Sequence, residues 1–401
     1  MSIPTTESVR QHYNVFPFPP DPLASVPPPG WNWRWSWPQA YHFCTHTHPG
    51  SRTVRILDAG CGSGVSTEYI AHQNPTADLW AFDISDTALG IAQARCQKSG
   101  APPVNFRHCN IYDLDESAIP GTFDFINSVG MLHHLPDPVK GLQILADKLA
   151  PGGLIHIFIY GEIGRYPIRL MQEAIRLLVT GDPDQSLRNE EELRQGLATG
   201  RSLFRLLPEQ NPIALQEKAR WATENVDDGC FADMYLHPHE IDYTIPMLFD
   251  LVQQSGLTFL GFSNPEFWRL ERFFSHEPQL LARARTLPLA QQYRLIEVLD
   301  AQVAHYEFYV GKLPLPRLDW TDAALTQAIA HRSPCIGRWP SQSIFNYAYQ
   351  AIHLSEPDYQ FLQHSDGQRT VAEIQAALSH PLPVEAIFAL MEQGLLLLQP
   401  S

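Results

Sequence analysis

The sequence is short of basic residues: 28 Lys and Arg stand against 43 Asp and Glu, a formal net charge of -15 over 401 residues. Such a surface repels phosphate backbones and argues against nucleic acid as a principal partner. Long apolar runs are missing too. The longest, such as Gly153–Tyr160 and Leu395–Leu398, fall far short of the roughly 20 residues that cross a bilayer, so no membrane span is expected. The opening MSIPTTESVRQHYNVFPF has no basic stretch followed by an apolar one, so nothing marks it for secretion and a cytoplasmic location is expected. The six cysteines (Cys44, Cys61, Cys96, Cys109, Cys230 and Cys335) form no CxxC pair or framework spacing and read as reduced thiols. His42, His46 and His48 lie close together without a further ligand at zinc spacing, so no metal is expected.

What the chain does have is uneven. Residues 1–50 carry seven prolines between Pro17 and Pro29, followed by WNWRWSW. Prolines favour extended backbone, and Trp31, Trp33, Trp35 and Trp37 alternate at period two, so an extended segment would put all four on one face. This arm is expected to be either cladding or a lid in which Tyr13 and the indoles exclude water. From Val54 strand and helix patterns alternate as in an α/β parallel sheet: 54–58, 77–83, 104–108, 123–127 and 153–160 read as strands, with helices between, one capped by Ser85. After Tyr160 the alternation stops. Residues 165–240 read as a helical insertion, and the sheet resumes with a helix at 245–255, a strand at 257–262, a helix at 289–299 and the strand HYEFYVG at 305–311. The main domain is therefore expected over 51–164 and 241–312. Residues 330–401, with a D-G turn, two amphipathic helices and an apolar last strand, outline a small winged-helix-like module. It lacks a basic stripe, so protein docking suits it better than DNA.

The segment ILDAGCGSG sits between a predicted strand and a predicted helix. Gly60 and Gly62 permit a tight turn and close approach of backbone to a ligand, and Gly64 lets the next helix pack against the sheet. Backbone N–H groups at the helix start suit a carboxylate. Asp58 can hydrogen-bond the amino group of an amino-acid-like ligand, and Asp83, at the end of the second strand, can hold both hydroxyls of a ribose. The run is G-x-G-x-G with Asp two residues upstream, which differs from the G-x-G-x-x-G of dinucleotide enzymes.

At these residues the chain resembles the class I S-adenosylmethionine-dependent methyltransferases, strongly over 53–160. DAGCGSG looks like the first motif of that family and AFDIS like the second. The resemblance implies a Rossmann-like seven-stranded sheet and S-adenosylmethionine as cofactor, held by Asp58, Gly60, Cys61, Gly62, Gly64, Asp83 and Ile84. RHCNIYDLD looks like the adenine-edge segment, with Ile111 and with Asn110 where the family commonly has Asp. FDFINSVGMLHHLPDP looks like the fourth-strand segment, which puts Asn127 and Ser128 beside the methyl group and His133 on the acceptor side.

QHYNVFPFPPDPL, PPPGWNWRW, YGEIGRYPIRLMQEAIRLL and DMYLHPHEIDYTIPMLFDL together are similar to the cyanobacterial phycobiliprotein asparagine methyltransferases, which N-methylate a side-chain amide in phycocyanin-type β subunits. That resemblance implies a protein substrate. The Asn/Asp-Pro-Pro-Tyr motif of glutamine-amide enzymes is missing, and an amide would need another arrangement, with Asn127, His133, Tyr13 and Tyr160 in catalytic roles and Trp33, Asp233 and His237 contacting substrate. A small-molecule methyltransferase acting on an isoprenoid quinone or tetrapyrrole also fits HHLPDP, as does, from another class, a module that senses the cofactor without catalysis.

Overall fold

The computed structural model describes residues 2–50, 52–315 and 317–401. In chain order it runs α1 (Ser2–Val15), a 3-10 turn at Trp33–Trp35, α2 (Trp37–Thr45), β1 (Arg55–Ala59), α3 (Val65–Gln73), β2 (Asp78–Asp83), α4 (Asp86–Ser99) and β3 (Val104–His108). There follow β4 (Phe123–Val129), α5 (Pro138–Lys148) and β5 (Leu149–Tyr160), then the helices α6 (Glu162–Thr180), α7 (Glu190–Leu206), α8 (Pro212–Arg220) and α9 (Asp228–Tyr235). The main domain closes with α10 (Ile245–Gln254), β6 (Thr258–Phe262), α11 (Glu271–Phe274), α12 (Pro278–Arg285), α13 (Leu289–Leu299) and β7 (His305–Gly311).

The seven strands make one sheet in the order β3-β2-β1-β4-β5-β7-β6. The first five are mutually parallel, and β7 runs antiparallel to both its neighbours. A parallel sheet is covered on both faces, so its strands read as near-continuous apolar runs. Strand β4 is buried from Phe123 to Ser128, and in β7 Tyr306, Phe308 and Val310 enter one core layer while Tyr309 enters the other. The register sets Asp58 of β1 beside Asn127 of β4, and Asn127 beside His156 of β5. Ser85 caps α4, its Oγ accepting from the Ala88 N–H at 3.1 Å.

Two features of the arm differ from expectation. Its first residues form a helix, and the tryptophans do not share a face. Asn32 caps the 3-10 turn by accepting from the Arg34 N–H, and Pro38 sits in the first turn of α2, so the backbone coils where extended chain was expected. The four indoles consequently diverge. Trp33 and Trp37 are buried in the core, Trp31 stacks on Tyr349 at 4.3 Å, and Trp35 turns inward toward β4.

Helices α6 to α9 carry their own apolar cluster, including Ile168, Met171, Ile175 and Phe231, to which the arm adds Phe16. Three of them open on a side-chain cap, from Asn189, Asn211 and Asp227. Beyond residue 328 a three-stranded sheet, with Ile329–Arg332 between Asp366–Thr370 and Leu396–Gln399, packs with three helices, Glu356–His364, Val371–Ala377 and Val384–Glu392, around a separate core. Among the described residues no helix is long and apolar enough to cross a membrane, and no cluster of His, Cys, Asp or Glu has the geometry of a metal site.

Candidate active site

A cavity of about 460 Å³ opens where β1, β2, β4 and β5 end, the position at which doubly wound sheets hold ligands. Gly60 to Gly62, Asp83 and Ile84, Cys109 to Ile111, and Val129 to Met131 form one side. Tyr160, Asp233, Met234 and Trp221 form the other, and α1 lies over both, with Thr6, Val9 and Tyr13 on the wall.

On the first side the turn is held by β2: the Gly60 and Cys61 N–H groups both donate to the Phe82 carbonyl at 3.0 Å. Asp83 is tied by the Gly62 and Ser85 N–H groups, each at 2.8 Å, and burial raises its pKa. Each carboxylate oxygen keeps a lone pair for a hydroxyl. Gly60 and Gly62 have φ of +74° and +53°. A Cβ on Gly62 would stand 2.4 Å from the Phe18 carbonyl oxygen, because the proline strap crosses the turn there, Ser63 donating its N–H to Phe18 and its Oγ–H to the Pro19 carbonyl. The groups present fit S-adenosylmethionine: a glycine cradle without side chains, a carboxylate placed for a ribose, and the Asn110 amide on the wall, its oxygen also capping Tyr112 at 3.1 Å.

Several expected contacts fall behind this wall. Gly64 packs α3 on α4, not on the sheet; a Cβ there would meet that of Ala92 at 2.6 Å. Asp58 is buried and accepts from Ser66 Oγ, Thr67 Oγ1 and Asn127 Nδ2 at 2.6–2.8 Å, so it braces the turn from below. Asn127, expected beside the methyl group, is fully buried, and its Oδ1 accepts from Trp35 Nε1 at 3.0 Å and His156 Nδ1 at 2.9 Å. Both ends of the amide are thereby spent on the scaffold. Ser128 points to the opposite face of β4 and is also fully buried.

On the second side Tyr13, Tyr160 and Asp233 converge, although 220 residues separate Tyr13 from Asp233. Tyr13 donates to Asp233 Oδ1 at 3.0 Å and Tyr160 to Oδ2 at 3.2 Å. Burial pushes the Asp233 carboxyl up to about 6, with the Tyr13 hydrogen bond opposing. Arg165 lies 3.5 Å over the Tyr160 ring and is held by Glu240 at 2.8 Å and Asp242 at 3.1 Å.

Of the adjacent histidines it is His134 that lines the cavity; His133 is fully buried behind Tyr160, ring centroids 3.8 Å apart. The 3-10 turn Leu132–His134 turns them to different sides. His237 also lies behind the wall, stacked on His134 at 3.6 Å and meeting His12 of α1 at 5.0 Å. Trp33 packs against Phe43, Tyr347 and Tyr309 in the core, and the indole of the arm that reaches the cavity is that of Trp35. Sequence reasoning missed Trp35, Arg165 and Trp221. The tryptophan run signalled the first, and nothing local signals the other two.

Residues 56–153 match a family model described as a methyltransferase domain. An uncharacterized protein of Synechococcus sp. is 48% identical over 402 residues, covering 99% of this chain and 94% of that protein. The "Uncharacterized phycocyanin operon protein W" of Pseudanabaena tenuis is 54% identical over 92 residues, 23% of this chain and 87% of that protein. The structure of PKMT2 from Rickettsia typhi in complex with AdoHcy shares the fold, with a TM-score of 0.59 at 15% identity over 93% of this chain and 77% of that one. The motif, the turn it builds and the matched domain agree: the chain carries a methyltransferase domain over residues 56–153 and is a methyltransferase that uses S-adenosylmethionine.

Proposed function

We propose that the enzyme methylates a side-chain amide nitrogen, and that the amide is an asparagine of a phycobiliprotein β subunit. The observation that carries this reading is the Asp233 carboxylate held between the Tyr13 and Tyr160 hydroxyls across the cavity from the glycine turn. Bound S-adenosylmethionine supplies an activated methyl group, so the protein needs chiefly to align the acceptor and exclude water. An amide nitrogen is a poor nucleophile because its lone pair is delocalised into the carbonyl. A carboxylate accepting one N–H raises the electron density on nitrogen and fixes its orientation, and fixed hydroxyls hold that carboxylate without reorganisation. The glycine turn and Asp83 would hold the cofactor. The insertion, which supplies Asp233, Met234 and Trp221, would recognise the acceptor, and α1 would act as the lid. The 54% identity to a phycocyanin-operon protein supports the choice of phycobiliprotein.

The form of the cavity favours a second reading, an isoprenoid quinone or tetrapyrrole acceptor. Helix α1 roofs it, Phe158, Trp221 and Met234 make its far side apolar, and among the described residues none beyond 305 lines it. Tyr13 of α1 sits on Asp233, so a protein loop would have to approach that carboxylate past α1. Methyl-labelled S-adenosylmethionine, offered with the protein and lipid-soluble fractions of a cell extract, separates the two. Label on one asparagine of a phycobiliprotein β subunit, located by mass spectrometry, is the expected result. Label confined to the lipid fraction sinks the amide reading and leaves the second.

A further inference from the structure

We infer that His134 takes the proton released when the acceptor nitrogen is methylated, an inference that rests on the amide reading. Its ring lines the cavity, and its Nδ1 lies 3.0 Å from the backbone carbonyl oxygen of His239. A carbonyl can only accept, so Nδ1 carries the hydrogen and the neutral ring keeps its lone pair on Nε2. With Nδ1 turned to His239, Nε2 is the edge left for the cavity. The partner is itself fixed: the His239 N–H donates to His237 Nδ1 at 3.2 Å, and the His239 Nε2 meets the Leu135 carbonyl at 3.2 Å. His237 stacks on the His134 ring at 3.6 Å and His133 abuts it at 4.1 Å, which leaves it one orientation.

The step needs such a group. As nitrogen gains the methyl carbon, the electron pair of the broken carbon–sulfur bond stays on sulfur, and the nitrogen is left with one proton too many. An N-protonated amide is a far stronger acid than imidazolium, so even a weakly basic imidazole removes that proton. Burial pushes His134 down to about 4, so the ring is neutral and ready at ordinary pH. The charged and titratable groups around it are Tyr13 and His12 from α1, its neighbour His133, Tyr160 from β5, Arg165 from α6, Asp233 from α9, and His237, His239 and Glu240 from the segment that follows. The Glu240 carboxylate and the His239 backbone carbonyl favour the imidazolium, and Arg165 opposes it. Asp233 is the competing base. Its two oxygens already accept from Tyr13 and Tyr160, which suits holding an N–H better than removing a proton.

The test uses the full chain, methyl-labelled S-adenosylmethionine, and phycocyanin β subunit purified from cells lacking this gene. His134→Gln is expected to bind S-adenosylhomocysteine within about threefold of wild type in a calorimeter while single-turnover transfer falls about 100-fold or more, the usual size of a lost general base. In His134→Gly, added imidazole should restore transfer in proportion to its neutral fraction; in Asp233→Asn, which should also be slow, it should restore nothing. Transfer by His134→Gln within about threefold of wild type overturns the inference, as does a loss in His134→Gly that imidazole leaves unchanged. Wild-type protein that leaves the subunit unlabelled overturns the amide reading and this inference together, whereas equal labelling by wild type and His134→Gln overturns this inference alone.

Discussion

Gly62 shows how much one missing side chain decides. Its φ is +53°, and the space a Cβ would fill is taken by the Phe18 carbonyl. Gly62→Ala meets both the left-handed backbone penalty of roughly 1–2 kcal/mol and a clash that only the strap can relieve by moving away. The expected outcome, read by calorimetry, is at least a roughly tenfold loss of S-adenosylmethionine affinity, because a penalty of about 1.4 kcal/mol is a factor of ten. Unchanged affinity would mean that the strap carries no part of the turn. The glycine turn and the place of Asp83 at the end of β2 were legible in the sequence because both follow from local spacing between a strand and a helix. Asn127 and His133 were misplaced for the converse reason. Which way a polar side chain faces at the end of β4 depends on the arm, on β5 and on a 3-10 turn, none of which their immediate neighbours reveal.

Among the elements, α1 was the least legible. The proline and tryptophan content after it dominates the reading of the first 50 residues, yet a helix of 14 residues precedes them. It joins the two sides of the cavity: Asn14 accepts from the Ser85 Oγ at 2.6 Å at the start of α4, and Tyr13 donates to Asp233. His12 enters a nest of buried imidazoles with His133, His134 and His237, and burial depresses all four, His12 to about 3 and His134 to about 4. A depressed histidine makes the folded state bind fewer protons than the unfolded chain, so its contribution is full above about pH 6.5 and is lost as pH falls toward 4. The raised carboxyls Asp58, Asp83, Asp233 and Asp242 act in the opposite sense over part of that range, but burial also depresses His42, His46, His48, His305 and His331, so nine histidines stand against four carboxyls. The protein is expected to lose stability steeply between pH 6.5 and 4.5, and His12→Phe to flatten that slope by up to about 1.4 kcal/mol per pH unit. Urea midpoints measured across the range check it; parallel slopes for the two proteins would remove His12 from the nest.

Across the whole molecule the alternation of strand and helix that builds the seven-stranded sheet spans tens of residues, which is why the sequence carried the fold class well. The roofed cavity arises from contacts between segments far apart in the chain, and no pattern along the sequence contains it. Helix α1 rests on the cofactor side and the acceptor side at once, so a swing of this helix would widen the path by which spent cofactor and methylated product leave. Were that swing the slow step, turnover would be paced by the drag of solvent on a moving helix and not by bond making. Sucrose that thickens the buffer is expected to slow steady-state turnover roughly in proportion to viscosity, with the single-turnover rate of preloaded enzyme unaffected. Steady-state turnover indifferent to viscosity would place the slow step in the bond making itself.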